Sequence, residues 1–574
     1  WYTGDERFCA AFCHILLDWI AQNEVGVTQP ATHSVFEVAA RLHHWLWAFA
    51  YFRAAPTFQR LACTLFLQAL FDQARYLEAN LEHHATNNHL LLESWVLAWV
   101  GLTFPEFRRA NRWREQGLRV FYQQVREQVA PDGVHREQAT LYHFIVTQAL
   151  LTMDVWMARN GLSLPDDVAD RLRQMHAFAR AIRKPDGSFP LLGDSARTDS
   201  FLVFDPVAVG EAWLDQGSQT PRTANLDEGG LWLVGPALAH SYRQRLFDTG
   251  LLTSRAFIPS GHFIMRHGEG PRQSYMHVDC GFFGHEPVPN HGHADALSLV
   301  LHAYGHTLLP DAGAYGYYLG LDWRAYFRGT RAHNTVLVDG ADQSELLGIR
   351  HVGRVARTVL RRWFSNPAFD LVDGSHDGYA RLDPPVLHRR VVLFVKGEAP
   401  YWLVLDHLTG SGVHQVTALF HLAPTMQWHQ DEGGRVHAWL EDSAALHLLP
   451  WRGGRLSTQI ISGSTQPIQG WVSLESGERL PAPTVCYTWD GPLPLLLATV
   501  LFPEPRRGAF NVHLSPLTPT EGEMGLTVVG PEGEDVVLWR PRPGPLEAGV
   551  CRAWGEMAVW RRLSQGRTHT VLLV

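Results

Sequence analysis

The sequence predicts an α+β multidomain chain, helices first and antiparallel β-sheets after. Apolar residues recur at three- and four-residue steps through the first 215 or so positions. From about 230, short runs rich in Val, Leu, Phe and Tyr alternate with Gly, Asp, Asn and Pro instead. The 574 residues are 46% hydrophobic and 18% charged, enough apolar material for real cores and not the composition of a disordered chain.

In order, the helical pattern covers Phe8–Ile20, Val35–Phe52, Phe58–Leu81, Leu90–Val100, Trp113–Val129, Thr140–Arg159 and Val168–Ile182. Breakers separate them, among them Ala55-Pro56, Phe104-Pro105, Pro131-Asp132-Gly133 and Pro185-Asp186-Gly187. Short links favour antiparallel neighbours, and such hairpins close into a toroid or stack into a solenoid; periodicity does not choose. Strands are expected at Gly230–Val234, His262–Arg266, Leu297–Ala303, Asn334–Val338, Val391–Val395, Tyr401–Leu405, Val416–Leu422 and Leu495–Phe502. The polar stretch Asp215–Gly230 is the expected linker. Domains are therefore placed at 1–225 and 226–574, the second with a division near 480.

Composition narrows function. A net charge of −8 lacks the basic footprint of a duplex-binding protein, so no nucleic-acid partner is expected. No apolar window is long enough for a membrane span. No signal peptide is visible, and the chain opens at Trp1 rather than Met. Six scattered cysteines form no CxxC pair and indicate no compartment. Interleaved Trp, Phe, His and Arg suit both core filling and sugar stacking with proton transfer.

Three segments carry candidate chemistry. Asn290-His291-Gly292-His293-Ala294-Asp295 enters an apolar strand, and two His at i, i+2 sit on one face roughly 7 Å apart. Downstream come Asp311, in Leu-Leu-Pro-Asp-Ala-Gly, and His333, before the strand at Val336. Two imidazoles and a carboxylate with an open position make a zinc site plausible, although strand-end His and Asp commonly just hydrogen-bond locally. A simple hairpin at Tyr304-Gly305 would set Asp311 opposite Ser298, so a shared metal needs the HGHAD segment to bend back over the sheet. Asn87-Asn88-His89 opens an apolar helix, where Asn serves equally as a cap. Finally, Asp132-Gly133-Val134-His135-Arg136-Glu137-Gln138 leads into a helix bearing Tyr142 and His143.

Taken together and in order, these segments resemble the heparinase II/III-like polysaccharide lyases: an NH pair, DGxHxEQxxxYH, a PDG…GDS turn at Pro185–Ser195, then HGHADALS, LLPDAG and HNTVLVDG. Arg136 departs from the pattern, at a place where an aromatic is commoner. The resemblance implies an N-terminal incomplete (α/α) toroid followed by C-terminal stacked antiparallel β-sheets. It also implies cleavage beside a uronic acid by β-elimination, an acidic polysaccharide substrate, and a periplasmic or secreted location.

By the same resemblance Asn88 and His89 neutralise the substrate carboxylate, and Tyr142 protonates the departing O4. Tyr142 also serves as base on one C5 epimer, which requires cationic neighbours to lower its pKa. His291 is the base for the other epimer, on the opposite wall with the sugar between it and Tyr142. His293, Asp311 and His333 hold one zinc per chain, bracing the cleft. Two other classes compete: a toroid glycoside hydrolase, needing two carboxylates across the scissile bond, for which Glu93, Glu137 and Asp194 are the helical-half candidates, and a non-catalytic polysaccharide-binding protein of an export or assembly system. The sequence does not specify the uronic acid, the linkage or the oligomeric state.

Overall fold

The computed structural model describes residues 3–23, 34–84, 87–199, 201–248, 252–285, 289–441, 443–451, 456–517, 523–549, 551–563 and 568–573. Its helical half is organised around two helices, Asn88–Thr103 and Thr140–Arg159, that are buried on almost every side. Neither has a polar face to show water, which is how a sequence marks a helix inside a helical layer. Trp95 and Trp99 stack within this core, ring centroids 5.4 Å apart. The next helix, Ala110–Gln128, packs very closely against Asn88–Thr103. A Cβ on Gly117 would lie 2.5 Å from the Ala98 backbone nitrogen, so only glycine permits the approach.

The switch to β-structure comes later than the linker suggests. Gly230–Val234, expected as a strand, lies in a helix, Glu228–Val234. Asp227 caps it by accepting the Gly230 N–H at 2.7 Å, and Glu228 sits favourably in its first turn. A further helix, Pro236–Gln244, follows, and Leu233, Val234, Ala239 and Tyr242 join the helical core. The helical unit thus extends through Gln244 rather than ending at 225, and the first strand is Arg255–Phe257. The expected helix Phe58–Leu81 is two, Pro56–Leu61 and Cys63–Asn80.

The β-half is antiparallel throughout its described pairings. A five-stranded sheet takes its strands in chain order from Arg255–Phe257 to His306–Leu309. An eight-stranded sheet has Val386–Val395 and Tyr401–Gly410 near its middle, and a four-stranded sheet includes Val336–Val338. The break expected near 480 falls among strands that complete these sheets; the separate C-terminal sheet starts at His513.

The halves share an apolar seam in which Val134, Phe144, Phe178 and Ile182 meet Phe257, Ile264 and Tyr275. Polar ties flank it. Ser260 donates to Asp132 through its backbone N–H (3.0 Å) and hydroxyl (2.8 Å), and Tyr275 donates to the Ile182 carbonyl at 2.8 Å. Buried contacts of this kind fix the two walls of the cleft relative to one another.

The HGHAD segment does leave the sheet plane. Leu297 takes a positive φ of 60°, uncommon for a non-glycine residue, and Ser298 N–H closes a turn onto the Asp295 carbonyl at 2.9 Å. The hairpin that follows slips register between Leu301 and His302, so Leu301 pairs with Leu309. The simple hairpin's pairing of Asp311 with Ser298 is therefore not formed.

Candidate active site

Asn88 is the first residue of its helix because Asn87 is the cap, accepting the His89 N–H at 3.1 Å. This frees the Asn88 side chain for other work. Its backbone N–H donates to Glu137 Oε1 at 3.0 Å, and its Nδ2 contacts both Glu137 oxygens at 3.1 and 2.8 Å. The oxygens of one carboxylate subtend a much smaller angle than two amide N–H bonds, so one N–H is spent and one remains. Asn88 Oδ1 is buried with no partner among the described residues.

Glu137 is buried, which works against its charge. His291, His135 and Asn88 more than offset that and hold it below the ordinary carboxylate range. Its Oε2 lies 3.7 Å from His291 Nε2.

His291 occupies the centre. Its Nδ1 is 3.1 Å from Asp194 Oδ2 and 2.8 Å from the Tyr317 hydroxyl. A carboxylate can only accept, so Nδ1 carries the hydrogen and Nε2 is left as the basic nitrogen. Asp194 also meets His293 Nε2 at 3.0 Å and the Arg324 guanidinium, whose second nitrogen is at 2.7 Å. Burial opposes charge on Asp194, but His291, His293 and Arg324 hold it well below the usual carboxylate range.

Tyr142 stacks on His291, ring centroids 4.0 Å apart, and its hydroxyl is 3.1 Å from that of Tyr317. Burial pushes its pKa far up rather than down. Among the described residues no uncommitted cation stands beside it to stabilise a tyrosinate. His135 is pushed down to about 4 and His143 to about 3, both by burial, so both are neutral. His143 is occupied with the Met175 carbonyl at 3.0 Å. Arg324 lies over the Tyr317 ring and is committed to Asp194. Tyr142 therefore holds its proton.

Two site expectations are corrected by this geometry. Tyr142 and His291 do come from the helical and β walls, but with their rings in contact no sugar fits between them. His89 is not in this network: its Nδ1 is 3.0 Å from Glu82 and its ring stacks on Phe36 at 4.3 Å. The Asn88–Tyr142–His291 grouping is brought together as expected. Asp194, Tyr317 and Arg324 were not anticipated as parts of it. Asp194 reads in sequence as a turn residue, and the Gly313–Gly320 loop signals Tyr317 only by its aromatic richness.

Behind His291 the proposed metal residues are all buried. His333 Nδ1 is 3.0 Å from Asp311 Oδ2, and the His293 and His333 rings lie 5.3 Å apart. His293 Nδ1 and His333 Nε2 are buried without partners among the described residues. Ligand atoms of His293, Asp295 and His333 all fall within 4.8 Å of one another. Orphaned imidazole nitrogens beside a carboxylate fit a zinc ion. The structure thus puts Asp295 alongside the two histidines, and Asp311 behind His333 as its orienting carboxylate.

A helical layer and antiparallel sheets closing on a Tyr–His–Asn cluster, with Asn88 and His291 buried and Tyr142 half-buried, define a cleft protein of the toroid-plus-β-sheet class. Residues 1–209 match the heparinase II/III N-terminus and residues 249–485 the heparinase II/III-like C-terminal description, so the chain belongs to the heparinase II/III-like family. It is 25% identical over 426 residues to a heparin-sulfate lyase of Pedobacter heparinus, covering 72% of this chain and 59% of that relative. A heparin-sulfate lyase of Bacteroides thetaiotaomicron is 23% identical, with 73% and 58% covered. The chain thus spans less than two thirds of these relatives' length. Among solved structures, a heparinase III superposes with a TM-score of 0.74 at 18% identity, covering 94% of this chain and 80% of that one. A heparan sulfate lyase from Pedobacter heparinus gives 0.66 at 22%, covering 94% and 79%. At such identities the likeness establishes the fold.

Proposed function

We propose that the protein is a polysaccharide lyase that cleaves a uronic-acid-containing polysaccharide by β-elimination, leaving an unsaturated uronate end. The observation that carries this is the contact pair itself: a protonated Tyr142 stacked on a His291 whose Nδ1 is taken by Asp194 and whose Nε2, 3.7 Å from Glu137, is left as the basic nitrogen. β-Elimination needs one base at C5 and one acid at O4. His291 Nε2 takes the C5 proton, and the C4–O4 bond breaks as Tyr142 delivers its phenolic proton to O4. The Tyr317 hydroxyl touches both groups and offers the path by which Tyr142 regains a proton. The remaining Asn88 N–H binds the uronate carboxylate and the enolate-like charge that builds on it, an oxyanion-type role.

Hydrolysis is disfavoured by the same groups. A hydrolase pairs an ionised carboxylate with a protonated one of raised pKa. Both carboxylates at His291, Glu137 and Asp194, are held low, and the helical-half carboxyl that burial pushes up to about 8, Glu93, is fully buried against the Glu82 backbone N–H instead of standing beside His291.

Zinc, held by His293, His333 and Asp295 with Asp311 orienting His333, would supply a fixed positive charge that braces the β-wall. The relatives' printed names, heparin-sulfate lyases, support a glycosaminoglycan among the acidic substrates. No helix among the described residues is long and apolar enough to cross a membrane; the periplasmic or secreted placement we propose rests on the family resemblance alone. A panel of uronate polysaccharides tests the reading: ultraviolet absorbance from a new C4–C5 double bond supports it, and new reducing ends without that absorbance refute it.

A further inference from the structure

A groove of about 950 Å³ opens beside the site, between the helical and β halves. That is near the upper end for ligand pockets, roughly 300–1,000 Å³. Arg136 lines it from the helical side, and Arg354 and Arg357 line it from the β side. Arg136 is where the sequence departs from the family pattern. Its Nε is buried and has no hydrogen-bond partner among the described residues. The Arg357 side chain is exposed and enters no ion pair among the described residues, while its backbone N–H donates to Asp377 at 2.8 Å. Arg354 reaches Asp377 only at 3.8 Å, a solvent-exposed pair of little strength.

Among the described lining residues three arginines stand against two carboxylates, Glu127 and Asp377, so the groove keeps an excess of positive charge. Glu127 is occupied by the amides of Gln123 and Gln124, at 2.9 and 2.8 Å. Asp377 is shared between Arg354 and the Arg357 backbone. Phe282 and Phe283 lie on the same lining, part-exposed. A guanidinium wall beside aromatic rings matches an anionic sugar, the charge meeting forked N–H donors and the apolar face meeting the rings.

The groove also borders the reacting groups. Arg136 precedes Glu137, which touches Asn88 and His291. A Cβ on Gly292 would fall 1.7 Å from the Phe283 carbonyl oxygen, so the Phe282–Phe283 segment lies directly against the turn between His291 and His293.

We propose that this groove is an anion subsite, taking a sugar unit that carries a carboxylate or sulfate while a neighbouring uronate occupies the Asn88–His291 site. The proposal rests on the lyase reading for the identity of the second unit. It narrows the substrate class to polymers whose negative charges recur along the chain, because one charge must reach the arginines while another is at Asn88.

Binding tests it without turnover. Affinity electrophoresis of the full chain is run in gels containing a polyuronate, a sulfated glycosaminoglycan, its desulfated counterpart or neutral dextran, at several salt concentrations. The combined Arg136→Gln and Arg357→Ala variant should lose about tenfold in affinity for an anionic polymer, with a shallower salt dependence, and dextran should retard neither protein. Loss confined to the sulfated polymer identifies sulfate as the ligand, and equal loss on the polyuronate identifies the carboxylate. Arg357→Glu, at an exposed position, should weaken binding by itself if Arg136→Gln disturbs folding. Unchanged affinity and salt dependence in a double variant that melts like wild type would overturn the subsite. A wild type that binds these polymers through the arginines yet forms no double bond would instead contradict the lyase reading and leave the groove standing.

Discussion

The Tyr142 ring lies on the His291 imidazole with planes 26° from parallel, a helical-wall residue pressed directly onto a β-wall residue. On the lyase reading proposed above, acid and base therefore meet the sugar from one side, and proton removal and leaving-group protonation occur on a single face. Substrates differing only in C5 configuration present that proton to opposite faces. The expected outcome is a kcat/KM preference of at least about a hundredfold for one epimer, on the scale of a lost acid–base contribution. Comparable values on both members of an epimer pair would show that the two side chains separate during turnover.

The division of labour between them is separable in deuterated water. Tyr142→Phe keeps the base, so it should exchange the C5 proton for solvent deuterium while cleavage falls by roughly 10²–10⁴-fold. His291→Ala should lose exchange and cleavage together. Nuclear magnetic resonance of the recovered substrate reads the exchange directly, and a Tyr142→Phe variant that exchanges nothing would make Tyr142 the base.

Asp194 sets the orientation of His291 and is the partner of a buried arginine. Asp194→Asn leaves the Arg324 charge buried without its counter-ion, which costs about 3–5 kcal/mol by analogy with other broken buried pairs. Chemical denaturation should show that loss, and kcat should fall more than KM rises, because Asp194 acts on His291 and not on the sugar. An asparagine variant as stable as wild type would remove Asp194 from this role.

The histidine pair behind the site should carry about one zinc per chain. His333→Ala should abolish it, Asp295→Asn should weaken it strongly, and Asp311→Asn should weaken it by about 10–100-fold as the loss of a residue that only orients a ligand. Metal analysis of dialysed protein distinguishes these, and full occupancy in His333→Ala would reject the ligand set.

A pH effect arises away from the metal residues. Burial pushes the Glu93 carboxyl up to about 8, against the opposing Glu82 N–H bond and with help from the Glu82 charge. An unfolded Glu titrates near 4.3. Between about pH 4.3 and 8 the folded protein thus holds a proton that the unfolded chain has released. Stability falls as pH rises through that window, by up to about 1.4 kcal/mol per unit from this group. Glu93→Gln removes the dependence, so its stability advantage over wild type should grow from about pH 5 to about pH 8. A constant difference across that range would refute the assignment.

Much of this was legible in the sequence, for identifiable reasons. Helix periodicity and Pro-rich breakers indicate most helices, and the family resemblance assigns Asn88, Tyr142 and His291 to one site, though with the sugar between the last two, where the structure has their rings in contact. Gly230–Val234 misled because five apolar and glycine residues suit either state; Asp227 as cap was the deciding feature. Asp194 reads as a local turn residue, or as one carboxylate of a hydrolase, because a Gly-Asp-Ser turn looks local, whereas its partners lie about a hundred residues or more away, at His291, His293 and Arg324. The exchange of Asp295 for Asp311 beside the histidines depends on the turn at Leu297, a backbone conformation that spacing does not report.

The claim that elimination, and not hydrolysis, is the chemistry of this site is tested most directly by mass spectrometry of products formed from a defined uronate oligosaccharide in heavy-oxygen water. The structure predicts two fragments whose summed mass equals the substrate, neither bearing heavy oxygen at the new end beyond slow exchange, with Tyr142→Phe forming them roughly 10²–10⁴-fold more slowly. Fragments that gain one labelled water on cleavage would contradict it.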